Sequence, residues 1–245
     1  MNTVTAVAAG QSGDDAELSK QVLTEQGQSC LRALMRVWFE FERELSNVPV
    51  VKRLEADKLS KSDYLLLLQS MRQQVIEGAR WITRSASSFD RNYADVRSEV
   101  ISHAYDEHRD YEMLEQDYVN AGGKLEDITS GCRNTGSEAL NGFMMYRAGQ
   151  PNPVDMIGAM WIIEGLGNKM AVHWADRVKE LFASDNTSNF MRYHGEHDGE
   201  HMEELYRLID RVCRTEDQLY SIIRTAKVVA RLYLLQLEEI DREIR

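Results

Sequence analysis

Prolines are scarce in this chain: only Pro49, Pro151 and Pro153 occur in 245 residues, so long segments are free to run as uninterrupted helix. Alternating runs of β-branched residues are also missing, which removes the main signature of half-buried strands. Cys30, Cys132 and Cys213 lie far apart without CxxC spacing. They argue against a disulfide framework and a thiolate zinc site, and they fit a reducing compartment. Nowhere do about 20 apolar residues follow one another, and the first residues show no basic segment leading into an apolar one, so neither a membrane span nor a secretory signal is expected. Basic clusters are absent too. Against 40 Asp and Glu stand 29 Lys and Arg, a net charge of −11, which argues against nucleic acid as a partner. These absences point to a cytoplasmic protein. A homodimer, the commonest soluble oligomer, is compatible with them.

What is present is helix-forming: Leu, Met, Glu, Arg, Gln and Ala dominate every long segment. Apolar periodicity between breakers gives about seven helices, at 16–46, 60–86, 93–120, 134–148, 153–184, 187–213 and 216–243. Gly122-Gly123 is expected to end the third, Asn152-Pro153 to cap the fifth, and the "TEDQ" from Thr215 to open the seventh as a capping box. No linker divides the chain. The expected fold is all-α, a single compact bundle spanning 16–245, with residues 1–15 mobile.

Six histidines occur, and three crowd into "YHGEHDGEHMEEL" from Tyr193. At about 100° per residue, Phe190, Met191, Leu205, Leu208, Ile209 and Val212 form an apolar stripe, and His194, Asp198 and His201 fall within it. His197, Glu196 and Glu200 fall outside, as a solvated face. A core histidine bonded to an aspartate is the plainer explanation for one such pair, but three ligand-type residues within two turns exceed it.

Two further helices repeat the pattern. Glu164 sits at the centre of the stripe formed by Ile157, Met160, Trp161, Ala171, Trp174, Val178 and Leu181. A buried carboxylate costs several kcal/mol unless it is paired, protonated or bound to a cation; Lys169 or a tyrosine is one candidate partner, a metal another. His173 lies off this stripe. On the helix from 93, His103, Glu107 and Asp110 share the side of Val96, Val100, Ala104, Tyr111, Leu114 and Tyr118, whereas Asp106, His108 and Glu112 point elsewhere. Imidazole and carboxylate donors without thiolates suit iron, manganese or zinc, and carboxylate-rich sites inside helical bundles suit paired iron or manganese. The Glu-x-x-His pairs of ferritin-like bundles are missing.

The residues resemble the haem-oxygenase-like diiron oxidases and oxygenases, relatives of the thiaminase II (TenA) and pyrroloquinoline-quinone synthase (PqqC) folds. The likeness rests on "HGEHDGEH" for the HxxxDxxH of that family, on "WIIEGLG" for the helix with a lone ligating glutamate, and on "HAYDEHRDYEMLEQDYVNAGG" for the helix with the remaining ligands. It implies a seven-helix bundle that binds Fe(II), two ions in the family pattern, and uses dioxygen to oxidise a small metabolite. Glu164, His194, Asp198 and His201 occupy matching ligand positions. On the remaining helix the likeness leaves two choices, His103 with Asp110 or Glu107 with Asp110. With that choice, occupancy by two metals, one or none stays open, so a metal-free TenA- or PqqC-like enzyme or a small-ligand-binding protein is the alternative. An apolar pocket around Met144, Met145, Met160 and Trp161 would suit a fatty acid or a hydrophobic amino acid equally well, with Tyr105 or Tyr111 orienting ligands. Haem is disfavoured because the first histidine is His103 and "IEGLGNKM" has only two glycines. Cys132 lacks the surroundings of a thiaminase nucleophile.

Overall fold

A computed structural model describes residues 23–243, apart from the side chains of Glu200 and Glu243. The mobility expected for residues 1–15 and the start expected at residue 16 lie outside that range. The described residues contain no strand and eleven α-helical segments: α1 (Glu25–Leu45), α2 (Pro49–Glu55), α3 (Lys61–Ser88), α4 (Ala94–Glu107), α5 (Tyr111–Asn120), α6 (Leu125–Thr129), α7 (Thr135–Ala148), α8 (Met156–Leu166), α9 (Val172–Phe182), α10 (Asn189–Val212) and α11 (Glu216–Glu243). The all-α expectation holds. The larger count arises because α2 and α6 are short additions and two expected helices are subdivided.

One subdivision falls at 108–110, where three turn residues separate α4 from α5. The other is a π-helical turn, Gly167–Ala171, that joins α8 to α9 without a break. Gly122 does end α5, with φ of 84°, and Thr215 and Gln218 form the expected capping box, each side chain accepting from the other's backbone N–H at 3.2 and 3.1 Å. Asn152 does not cap a helix. It adopts φ of 49°, and its side chain bonds Asp90 twice at 2.9 Å, tying the α7–α8 connection to the corner between α3 and α4.

The apolar residues expected to face inward form one contiguous core, with Leu181 only partly buried and Tyr111 outside it. Helix α8 lies at its centre, with every residue but Ile163 buried, as suits a segment apolar on all sides. Helix α11 packs along α1, α7 and α8, helix α3 forms an antiparallel hairpin with α4, and α10 crosses α8 and the π turn. Glycine lets α10 come close: a Cβ on Gly195 would stand 2.7 Å from the Val172 backbone nitrogen. No described helix is long and apolar enough to cross a membrane.

Candidate metal centre

Three helices aim donors at one point. Helix α4 delivers His103 and Glu107 and the turn after it Asp110; α8 delivers Glu164 one turn before the π segment; α10 delivers His194, Asp198 and His201. His103, Asp110, Glu164, His194 and Asp198 are buried, and Glu107 and His201 are largely so. All seven expected residues are brought together.

Their donor atoms fall into two overlapping groups, each spanning no more than 4.8 Å: His103, Glu107, Glu164 and His201 in one, Glu107, Asp110 and His194 in the other. Glu107 belongs to both. Glu164 lies between two imidazoles, its Oε2 3.2 Å from His201 Nδ1 and its Oε1 3.3 Å from His103 Nε2. Neither Lys169, which is exposed, nor a tyrosine serves it. Asp198 stands outside both groups and holds the ring of His194 at Nδ1, 3.0 Å away, which turns Nε2 toward Asp110 Oδ2 at 3.2 Å.

That last contact, like the one between His103 and Glu164, lacks the alignment of a hydrogen bond. Consequently His103 Nε2, Asp110 Oδ2 and His194 Nε2 are buried polar atoms without a hydrogen-bond partner. Ten such atoms occur among the described residues, and three of them meet in this one cluster, where a bound ion or water would satisfy them together. The charges agree. Four carboxylates converge here, and protons compensate them: burial pushes Glu107 up to about 7, with the Glu164 charge adding to it. Burial alone would lower His194, but Asp110 and Asp198 raise it to about 11. Contact with Glu164 lifts His201 to about 9 against its burial. For Glu164 burial works upward, yet His103 and His201 pull its carboxyl far below the usual range.

The remaining histidines behave as their helical positions require: His197 and His108 are exposed, and His173 pairs with Glu55 at 2.8 Å on the surface. Glu196 is exposed; the Glu200 side chain lies outside the described set. Tyr105 is exposed and Tyr111 lies under Arg72, so neither orients a ligand. The expected pocket is also corrected. Met144, Met160 and Trp161 are buried, with voids of only about 10 Å³ beside Met144 and, next to His103 and His201, beside Met160, and Met145 borders a separate surface groove. A cavity of about 100 Å³ instead opens onto Glu107, Glu164, His194 and Asp198, walled by α2, α3, α9 and α11.

Residues 67–234 match the family described as iron-containing redox enzyme. The chain belongs to that family. Its matched span includes every one of the seven converging donors. No curated protein matches the chain significantly. Among solved structures, this iron-containing redox enzyme family member is similar to a domain of unknown function with a haem-oxygenase-like fold from Shewanella denitrificans, at TM-score 0.77 and 19% identity over 86% of this chain and 90% of that one. A TenA homologue from Pseudomonas syringae pv. tomato matches at TM-score 0.72 and 13% identity, covering 96% of this chain and 99% of its own. Another, from P. horikoshii, matches at 0.64 and 18%, covering 90% and 99%. At these identities the likenesses establish the haem-oxygenase-like fold.

Sequence reasoning missed Gly167. A Cβ there would lie 1.7 Å from Asp198 Oδ2, so the π turn reaches the centre only because this residue has no side chain. Its signal was present as the second glycine in "EGLG", three residues after the buried glutamate.

Proposed function

We propose that the protein is a dioxygen-using, non-haem iron oxidase or oxygenase acting on a small molecule, with two Fe(II) ions held by six of the seven converging residues. The observation that carries this is the trio of buried, unpartnered atoms on His103, Asp110 and His194 in a cluster with four carboxylates. His103, Glu107, Glu164 and His201 fit one ion and Glu107, Asp110 and His194 the second, with Glu107 shared. Asp198 completes the set, fixing the His194 ring so that Nε2 faces inward. Carboxylates holding the far nitrogen of a ligating imidazole are a common support of metal sites. Four carboxylate charges match two divalent ions.

Bound Fe(II) would supply the electrons that reduce dioxygen. The protein does the rest: the apolar cavity beside the centre holds the organic substrate and excludes water, and Glu107, poised at about 7, gives up its carboxyl proton when a cation arrives. The test is dioxygen uptake. Anaerobically loaded protein mixed with aerated buffer is expected to consume dioxygen well above the rate of free Fe(II), and Glu164→Gln to lose that excess. A folded protein that retains no iron and consumes no dioxygen would instead favour the metal-free alternative.

A further inference from the structure

The cavity at the centre follows one stripe of α3. Leu67, Met71, Gly78 and Ile82 line it, spaced four, seven and four residues apart, so they share one face of the helix over about four turns. Among the described residues, no lysine or arginine lines it. Away from the centre, Gln74 Oε1 accepts from Gln236 at 2.5 Å. Gly78 is the decisive residue. It sits inside a 28-residue helix, where glycine is a poor choice, and a Cβ there would meet nothing within 4 Å. Helix–helix contact does not explain the missing side chain; the open space it leaves belongs to the cavity.

From this geometry we infer that the substrate is an extended, single-headed apolar molecule lying along α3, its one polar group at the His and carboxylate cluster, and that Gly78 determines the chain length accepted. The inference rests on the cluster being the reaction site. A substrate charged at both ends would bury one charge unpaired, at heavy cost. The single head has partners at the centre, whereas the tail needs only apolar wall.

The test uses n-alkanols from hexanol to decanol, whose neutral heads need no metal, with binding read from fluorescence of Trp81 and Trp174 in the cavity wall. In metal-free and iron-loaded wild type alike, affinity is expected to rise roughly fourfold per methylene. Gly78→Phe is expected to stop that rise at a shorter chain while iron content stays unchanged, and Gly78→Leu gives the same readout if the larger variant does not fold. Decanoate is expected to bind more tightly once iron is loaded. Affinity independent of chain length in wild type, or an unaltered rise in both folded variants, would overturn the inference. Iron failing to bind while the rise persists would overturn the reading of the centre and leave the chain-length inference supported.

Discussion

The role of single residues is clearest where a side chain is absent. Gly167 leaves room for Asp198, which in turn holds His194. Gly167→Ala removes no donor, yet it is expected to displace the carboxylate and weaken metal binding roughly 10- to 100-fold, as loss of a supporting hydrogen bond does. Iron retained after gel filtration checks this, with circular dichroism showing the helices intact. The inward, converging placement of these residues was legible because a polar residue on an apolar stripe is a visible anomaly: Glu164 among Trp161, Ile163 and Leu166, and His194, Asp198 and His201 among Phe190, Leu205 and Leu208. Gly167 and Gly78 were not legible, because a missing side chain means something only when the neighbouring helix or cavity is known.

At the level of elements, helix α10 carries three of the seven donors, and its N-terminus is anchored from outside. Ser188, the N-cap residue, makes no side-chain capping bond. Asp117 of α5 does this work in its place: its carboxylate, fully buried, accepts from the backbone N–H of Asn189 and of Phe190, both at 2.9 Å, and from the Asn189 amide at 2.7 Å. Tyr64 adds a bond to the Thr187 carbonyl. Asp117→Ala leaves those N–H groups buried and unsatisfied and is expected to cost about 1–3 kcal/mol in denaturant unfolding. The all-α class and rough helix boundaries were readable from periodicity, but the extra segments were not, and neither was this cap, since it joins residues 72 positions apart. The break at 108–110 was equally hidden. An i, i+4, i+7 count across His103, Glu107 and Asp110 assumes an unbroken helix; the chain instead turns there, and Asp110 still faces inward, its N–H donating to the Glu107 carbonyl and its carbonyl accepting from the Met113 N–H, each three residues apart.

Across the whole molecule, the four buried carboxylates make metal-free stability depend on protons. The His194 and His201 pKa values are raised from 6.5 to about 11 and about 9, so their contribution is full below 6.5 and is lost as pH rises through 9 and above. Glu107, raised from 4.5 to about 7, acts in the same direction over its own window; Glu164, lowered, acts in the opposite direction, but only below 4.5. Thermal unfolding of metal-free protein is therefore expected to move to lower temperature as pH rises from about 7 to about 9. Divalent-ion affinity, followed calorimetrically with Mn(II), is expected to rise with pH, because binding must expel those protons. A ligand present at 100 times its Kd should add about 2.7 kcal/mol of stability. The most direct measurement is the iron content of protein loaded with Fe(II) under anaerobic conditions and then desalted. Two equivalents per chain are expected, falling to one or fewer in Glu107→Ala, where both groups lose their shared carboxylate; a folded wild-type chain that retains no iron would contradict the assignment.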